Sequence, residues 1–496
     1  MNLPRLFRTL VHLKPCQLWF QVYRRLQRRL GPHPACATAE LPPLTFLNLT
    51  ARAQGWNDPS LDMLWRYNLH YFDTAHELIP RWLRENPRGS VPGWDPYPTS
   101  LRIVNWVKLL SDPAACAAIP GFDAAAVERS LADQLAWLRD HLEWHILANH
   151  LLANLKAMAI GTAFLARGAS AESPAASDAV RWLARYVAEL SEQVLDDGGH
   201  FERSVMYHAI MFEDVLDVLQ WGRADAQKRV PPALVEKMLR YLVAMTGPDG
   251  QIVLFNDAAP GIAKPTAELV ARAARAGFGQ GGAASDGSRP VADFPTTGYV
   301  RAEVGDWVLY ADIAPLGPDF QPGHAHADTL TYELYHRGEK VVTDVGTSAY
   351  RGPNRAFERS TAAHNVVQVD GRDSSEVWSS HRVGHRARVV RREVAIVADG
   401  VELVGAYESA GVRVERTWRL TAAGLAVTER VQGGRSCTTR VHFAPGMEGR
   451  VSVDFASPRR EEYQFARAFG LLEPAVGLAA DFDPSTKFCY NIRATT

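Results

Sequence analysis

The first half of the chain carries a helical pattern of apolar residues. From about residue 45 to 278, apolar side chains recur at three- and four-residue spacing. Short clusters of Gly, Pro and Asp separate these segments and mark turns. Helix after helix with short connections predicts stacked helical hairpins or a helical barrel. The clearest helical segments are 75–86, 100–111, 126–165, 176–195, 206–221 and 232–245.

The second half of the chain changes to a strand pattern. Residues 276–290 are rich in Gly, Ala and Ser and are typical of a linker or an exposed loop. The alternating or β-branched runs that follow predict an antiparallel sandwich of many strands. The sequence therefore predicts a basic helical segment (1–44), a helical domain (45–285) and a β domain (286–496). The strand runs are 298–304, 307–313, 388–396, 401–407, 412–420, 425–431, 438–443 and 451–455.

Composition narrows the classes of function. A chain of 496 residues with 47% hydrophobic content can form two or three domains. A formal net charge of -1 gives no electrostatic reason to expect a nucleic-acid partner. The 5 cysteines are scattered and form no C-x-x-C pair, which argues against a disulfide framework or a cysteine zinc site. No apolar run reaches the length of about 20 residues that a membrane-spanning helix needs.

Residues 1–30 are basic and carry no acidic side chain. Basic residues interrupt the apolar positions, so the stretch lacks the continuous apolar region of a signal peptide. A cytoplasmic or membrane-associated location is therefore favoured over a periplasmic one. Two interpretations stay open: an amphipathic helix packed on the body, or peripheral contact with an anionic membrane surface or polymer. The sequence does not indicate an oligomeric state.

The stretch 321–371 concentrates imidazole, carboxyl and hydroxyl groups. His324, His326 and Asp328 alternate with Ala325 and Ala327, so an extended chain would place the polar groups on one face. The small alanines on the other face suggest that another segment packs closely there.

Three potential metal ligands lie at or beside the ends of neighbouring strand patterns in this stretch. They are His326, Asp344 and His364. Two imidazoles and a carboxylate are suitable zinc ligands. A metal-free hydrogen-bond network of the same three residues is the alternative.

Two polar segments interrupt the helical half. The mixed stretch 65–73 contains Tyr67, His70 and Tyr71, which suit stacking on sugar faces or a core aromatic cluster equally well. Asn149 and His150 lie in an otherwise apolar helical segment, where unpaired polar groups are costly. They are either satisfied core residues or functional ones.

A third segment, 197–208, contains a Gly-rich turn followed by charged and hydroxyl groups at the start of a helical pattern. Arg203 and Tyr207 belong to it. Tyr207 is equally consistent with an ordinary helix position and with a functional one.

Taken in order, these segments resemble the heparinase II/III-like polysaccharide lyases, which include alginate and oligoalginate lyases. Each segment alone is a weak signal, whereas the ordered set is specific. The resemblance implies an α+β multidomain protein with an N-terminal (α/α) toroid, an incomplete helical barrel, followed by an antiparallel β-sandwich. The matching segments are 149–150, 197–207, 323–328, 344–347 and 359–365.

The resemblance implies β-elimination from a uronic-acid-containing, and therefore acidic, polysaccharide. Asn149 and His150 correspond to the residues that neutralise the substrate carboxylate. Tyr207 corresponds to the acid that protonates the leaving oxygen and, for one C5 configuration, also to the base. His324 corresponds to the base for the opposite configuration. Clefts between such domains often bind extended ligands.

The resemblance also implies a mainly structural zinc ion bound by His326, Asp344 and His364. In a regular strand His324 and His326 would point the same way, so a twist or bulge is expected to separate their roles. Candidate substrate-binding residues are Tyr67, His70, Tyr71, Arg203, Tyr350 and Arg359.

Two other functions stay open from the sequence. One is an inactive carbohydrate-binding or exopolysaccharide assembly protein. The other is a zinc hydrolase that uses metal-bound water, with Asp328 as a candidate base. The polymer, its C5 configuration and the choice between internal and terminal cleavage are not indicated.

Overall fold

The computed structural model describes residues 3–30, 34–224, 226–279 and 290–495. Most of the predicted linker, residues 280–289, therefore lies outside the described residues. The chain forms two compact units. The first unit comprises residues 1–13, 194–212 and 233–496, and the second comprises residues 14–193 and 213–232.

The helical segments predicted at 100–111, 176–195, 206–221 and 232–245 are confirmed, whereas the helix at 352–358 was not predicted. Among the described residues, no helix combines the length and apolarity needed to cross a bilayer. The α-helices are α1 (Leu3–Leu10), α2 (Pro15–Leu30), α3 (Met63–Asn68), α4 (Ile79–Glu85), α5 (Pro96–Leu110), α6 (Pro113–Ala117), α7 (Ala124–Asp140), α8 (Ala148–Leu165), α9 (Pro174–Gln193), α10 (Val205–Trp221), α11 (Ala226–Arg229), α12 (Pro232–Ala244), α13 (Thr266–Arg275) and α14 (Gly352–Glu358).

The second unit is built around α8. This helix packs against α5, α7 and α9, and its residues are buried almost continuously from Ala148 to Thr162. An aromatic core lies beside it, in which Trp82 stacks on Trp94 at a centroid distance of 6.1 Å. Arg102 lies 4.1 Å above the Trp82 ring, so its buried charge is stabilised by a cation–π contact.

The segment predicted as one helix, 126–165, is in fact two helices. Residues 141–147 separate α7 from α8 although they contain neither Gly nor Pro. Leu147 and Ala148 adopt left-handed backbone conformations with φ of 68° and 50°, which costs on the order of 1–3 kcal/mol for each non-glycine residue. The side chain of Gln193 supports this turn by donating to the Ala148 carbonyl oxygen at 2.9 Å. Asn149 and His150 consequently lie in the first turn of α8.

Antiparallel sheets dominate the first unit, as predicted, although the last three strands and several short ones were not expected. The strands are β1 (Leu44–Phe46), β2 (Leu49–Ala51), β3 (Val291–Phe294), β4 (Tyr299–Val304), β5 (Trp307–Asp312), β6 (Tyr332–His336), β7 (Glu339–Val342), β8 (Val367–Val369), β9 (Val377–Trp378), β10 (Arg382–Val383), β11 (Arg388–Val397), β12 (Gly400–Ser409), β13 (Val412–Thr421), β14 (Gly424–Gln432), β15 (Cys437–His442), β16 (Val451–Val453), β17 (Arg459–Ala468), β18 (Leu471–Phe482) and β19 (Phe488–Ala494).

Three sheets share one apolar core in this unit. The orders are β3-β4-β5-β6-β7 in a five-stranded sheet, β11-β12-β13-β14-β19-β16 in a six-stranded sheet, and β17-β18-β15-β8 in a four-stranded sheet. The five-stranded sheet contacts the six-stranded sheet through β4 and β5. Trp307, Leu334, Trp418 and Val441 represent the buried residues that the three sheets contribute. The hairpin β1–β2 belongs to the second unit.

Candidate active site

In the second unit, the break before α8 places a carboxylate beside His150. Nδ1 of His150 lies 3.2 Å from a carboxyl oxygen of Glu143, and the side-chain amide of Asn154 donates to the other oxygen at 3.1 Å. Burial alone would raise the pKa of Glu143, but the contacts with His150 and Asn154 lower it. Asn149 is buried, whereas 29% of the His150 side chain is exposed. Glu143 was not predicted as a site residue.

The aromatic segment 65–73 packs into the core of the same unit. His70 is fully buried, and its Nδ1 accepts a hydrogen bond from Trp82 Nε1 at 2.9 Å. Its Nε2 donates to the Trp56 carbonyl oxygen at 2.9 Å. Both ring nitrogens of this predicted substrate-binding residue are thus engaged inside the protein, as the core alternative expects. Tyr71 is also buried, and Tyr67 is half-buried.

Acid should destabilise the protein through His70. Burial lowers the pKa of His70 to about 3, whereas the unfolded chain has the ordinary value of 6.5. The folded state therefore keeps the ring neutral while the unfolded state takes up a proton. The stabilising contribution is complete above pH 6.5 and is lost as the pH falls toward 3. From pH 7 to pH 5 the loss is roughly 2 kcal/mol.

Urea unfolding at these two pH values checks this prediction. The variant His70→Gln should be less stable at pH 7 but should lose about 2 kcal/mol less than the wild type on acidification. His76→Gln, which changes a partly exposed histidine of the same unit, is the control and should keep the wild-type pH dependence. Equal acid sensitivity of His70→Gln and wild type would contradict the assignment.

In the first unit, Tyr207, His324 and Tyr350 form one cluster. Tyr207 lies in the first turn of α10, where its backbone N–H donates to the Ser204 hydroxyl oxygen at 3.2 Å. The hydroxyl groups of Tyr207 and Tyr350 are 2.9 Å apart. The ring of Tyr207 packs on the ring of His324 at a centroid distance of 3.9 Å. Three predicted site residues are therefore neighbours in space.

Two carboxylates that were not predicted flank His324. Asp257 Oδ2 lies 2.8 Å from Nδ1 of His324, and Glu202 Oε2 lies 3.4 Å from Nε2. Burial alone would raise the pKa of Asp257, but Arg355 and the hydrogen bonds from His324 and His326 hold it well below its usual range. Since Asp257 is ionised, Nδ1 of His324 must donate to it, which fixes the orientation of the ring.

The segment 324–328 is an irregular loop and not an extended strand. His324 and His326 reach the two oxygens of one carboxylate: Nε2 of His326 lies 2.8 Å from Asp257 Oδ1. Their surroundings nevertheless differ, because 12% of the His324 side chain is exposed and His326 is fully buried. Ala325 and Ala327 are buried, as the prediction of close packing required.

Two arginines predicted to bind substrate instead hold protein backbone. Arg203 donates from Nε to the Thr297 carbonyl oxygen at 2.8 Å. Arg359 donates from Nε to the Ala325 carbonyl oxygen at 3.1 Å and from Nη1 to that of Ser379 at 3.0 Å. Both side chains are buried. Their guanidinium groups position the loops of the site, and neither is directed at solvent.

The predicted metal ligands His326 and His364 lie close together and fit a metal ion. Among the described residues, Nδ1 of His326 and Nε2 of His364 are buried without a hydrogen-bond partner. Together with Asp328 they offer ligand atoms within 4.8 Å of one another. Asp344 contacts the other nitrogen of His364, Nδ1, at 2.6 Å, as Asp257 contacts Nε2 of His326. Carboxylates commonly orient metal-bound histidines in this way.

Comparison with known proteins places the chain in a family. The profile of the heparinase II/III N-terminus matches residues 93–276, and that of the heparinase II/III-like C-terminal domain matches residues 286–476. The chain belongs to the heparinase II/III-like family. It is a polysaccharide lyase by this membership. No curated protein sequence matches this chain closely enough to count as a relative.

Solved structures have the same fold as this heparinase II/III-like chain. A heparinase III structure superposes with a TM-score of 0.68 at 16% identity, covering 84% of this chain and 72% of the other. The heparan sulfate lyase HepC of Pedobacter heparinus superposes with a TM-score of 0.60 at 17% identity, covering 88% and 78%. The predicted fold class, an (α/α) toroid followed by an antiparallel β-sandwich, is thereby confirmed.

Proposed function

We propose that this lyase cleaves a polysaccharide containing uronic acid by β-elimination, using Tyr207 and His324 for proton transfer. The observation that carries the proposal is the contact between these two rings, with a centroid distance of 3.9 Å. An imidazole oriented by Asp257 and a phenol hydroxyl group then lie side by side in the same unit. Both are groups that enzymes use for general acid–base catalysis.

Elimination from a uronate breaks the C5–H and C4–O bonds of the sugar ring. A base takes the proton from C5, the C4–O bond breaks, and a C4=C5 double bond forms while an acid protonates the leaving oxygen. The ionised carboxylate on C5 opposes removal of that proton, because negative charge accumulates beside it. Hydrogen-bond donors directed at the carboxylate lower this barrier.

His150 and Asn149 supply such donors in this proposal. Glu143 engages Nδ1 of His150, so the proposed donation to the substrate comes from Nε2. An imidazolium held by a buried carboxylate can donate from Nε2 to the uronate group. The side-chain amide of Asn149 donates without any change of charge.

Tyr207 is the proposed acid for the leaving oxygen. Its hydroxyl group is hydrogen-bonded to that of Tyr350 at 2.9 Å, so Tyr350 can orient the proton. His324 is the proposed base: Asp257 holds its Nδ1, so the proton would be taken by Nε2, which lies 3.4 Å from Glu202 Oε2. For the other C5 configuration, Tyr207 serves as both base and acid.

We further propose that His326, His364 and a carboxylate hold a zinc ion with a structural role. Asp328 is the carboxylate that offers an oxygen within 4.8 Å of a ligand nitrogen of each histidine, and Asp344 contacts the other ring nitrogen of His364, Nδ1. When bound, zinc would tie the loop that carries His324 to the segment that carries His364. The full burial of both histidines disfavours the alternative of a zinc hydrolase, because metal-bound water would have no access to a polymer.

The variant His364→Ala tests the zinc proposal. It should lose the bound metal, measured by atomic emission of the purified protein, and its melting temperature should fall by roughly 5 °C or more. His385→Ala, at an exposed histidine, is the matched control and should keep both properties. A wild-type protein purified without zinc and a variant with an unchanged melting curve would together refute the proposal.

The proposed reaction is tested by mixing the purified protein with alginate, heparan sulfate, chondroitin sulfate, hyaluronan and bacterial exopolysaccharides. Elimination creates a conjugated unsaturated uronate, so ultraviolet absorbance should rise with at least one polymer. Neutral glucans, which lack the uronate group, are the control and should give no rise. Depolymerisation without an absorbance change would contradict β-elimination.

A further inference from the structure

The two N-terminal helices present apolar side chains to solvent. Of the sixteen large hydrophobic residues that are exposed in the described part of the chain, nine lie between Leu3 and Leu26. Surface hydrophobic residues are usually scattered singly, so this concentration marks an interaction surface. We use the name N-terminal apolar surface for two sets of residues, one in each unit: Leu3, Phe7, Leu10 and Val11 in the first unit, and Leu18, Trp19, Val22, Tyr23 and Leu26 on α2 in the second.

Helix α1 is attached to the first unit by its polar side. Arg5 and Arg8 both donate to the Glu376 carboxylate at 2.8 Å. The indole N–H of Trp378 donates to the Thr9 hydroxyl oxygen at 3.1 Å. The opposite side of the helix carries Phe7, which is 69% exposed. An ordinary surface helix has the reverse arrangement, with apolar residues facing the body.

Helix α2 shows the same inversion within the second unit. Gln17 and Arg24 are buried, and the Gln17 amide donates to the Ile146 carbonyl oxygen at 3.3 Å. On the other face, Trp19 is 68% exposed and Leu26 is 50% exposed. The exposed positions 18, 19, 22, 23 and 26 recur at helical spacing, so they form one continuous stripe along α2.

The charged side chains of the N-terminal stretch itself are all of one sign. The chain has seven basic residues and no acidic residue before Glu40. Arg25 and Arg29 are exposed on α2 beside the apolar stripe. Two copies of the chain would place these positive charges against each other, which opposes self-association. An acidic polysaccharide would match the charge but would leave the apolar stripe in water.

We propose that the N-terminal apolar surface binds the surface of an anionic lipid bilayer. Phe, Trp and Leu side chains insert at the boundary between headgroups and acyl chains, while the arginines remain among the anionic headgroups. Trp and Tyr are favoured at this depth because their rings are amphipathic. The lyase would then be a peripheral membrane protein that acts next to the bilayer.

Sedimentation of the full-length protein with lipid vesicles tests the proposal. Vesicles of phosphatidylcholine with about 30% phosphatidylglycerol should bind the protein at least tenfold more tightly than pure phosphatidylcholine, and added salt should weaken this binding. The triple variant Phe7→Ser, Trp19→Ser, Leu26→Ser should bind at least tenfold less tightly. The double variant Arg25→Gln, Arg29→Gln should lose most of the preference for anionic vesicles.

A matched triple variant controls for the loss of surface apolarity in general. Val390→Ser, Ile396→Ser, Leu471→Ser removes three exposed apolar side chains elsewhere and should bind vesicles like the wild type. Unchanged melting temperatures verify that both triple variants are folded. Absence of vesicle binding by the wild type, or equal binding by Phe7→Ser, Trp19→Ser, Leu26→Ser, overturns the proposal. A wild-type dimer that this variant dissociates, without vesicle binding, would assign the surface to self-association instead.

Discussion

Replacing Tyr207 by phenylalanine is expected to lower kcat for elimination by a factor of about 10² to 10⁴, the range that a positioned acid–base group contributes. The change removes one hydroxyl group that can protonate the leaving oxygen. The ring contact with His324 stays, because it depends on the aromatic faces. The fold should therefore persist, and KM should change much less than kcat. Initial rates of ultraviolet absorbance on the active polymer measure the effect.

Tyr310→Phe is the matched control for this variant. Tyr310 belongs to the same unit and is buried, and its hydroxyl group donates to the Thr246 carbonyl oxygen at 2.8 Å. Loss of this hydrogen bond should lower the free energy of unfolding by about 1 kcal/mol and leave kcat unchanged. If Tyr207→Phe retained a near wild-type kcat, Tyr207 would have no part in proton transfer.

Replacing Arg355 by methionine is expected to have the largest effect on stability, a loss of about 3–5 kcal/mol. Arg355 pairs with Asp257 through two guanidinium nitrogens, one of them at 2.8 Å, and both side chains are almost completely buried. Without Arg355, the Asp257 carboxylate would be left in the interior without its cation. Since Asp257 also holds His324 and His326, activity should fall together with the free energy of unfolding.

Arg337→Met is the control for an arginine ion pair in solvent. Arg337 pairs with Asp306 at 2.9 Å, but both side chains are more than half exposed. Such pairs contribute little to stability because water screens them, so this variant should unfold at nearly the same urea concentration as the wild type. The conservative change Arg355→Lys keeps the charge but not the two-point contact. Its loss of stability should therefore lie between those of Arg355→Met and Arg337→Met. Equal unfolding curves for Arg355→Met and Arg337→Met would show that the buried Arg355–Asp257 pair does not stabilise the fold.

Most of the architecture follows from the sequence because apolar periodicity is a local signal. The periods of helices and strands identified α5, α9 and α10 as well as the hairpins from β11 to β15. The break between α7 and α8 could not be predicted, because residues 141–147 contain none of the usual breakers. Strand β18 was missed because a proline and a glycine interrupt its apolar pattern.

The site was less accessible to sequence reasoning than the fold. The alternation of His324, His326 and Asp328 imitates a strand, yet the segment is a loop whose backbone Arg359 holds. Asp257 and Glu202 are isolated carboxylates without spacing or repetition, and only the folded chain brings them to the imidazole of His324.

His70 and Arg203 were predicted to bind substrate from the sequence. In the structure their polar atoms instead form hydrogen bonds with buried groups of the protein itself. Polar residues within apolar sequence therefore located the region of the candidate site better than they predicted the role of each residue in it.

The most direct test of β-elimination is mass spectrometry of the fragments that the purified protein releases from its polymer in ¹⁸O-labelled water. Elimination adds no water across the cleaved bond. The account therefore predicts that each cut yields one fragment with an unsaturated terminal uronate, and that no fragment gains ¹⁸O at the cut when new reducing ends are reduced at once to block exchange of the anomeric oxygen. Fragments that gain one labelled water molecule per cut, with saturated ends, would show hydrolysis and contradict the account.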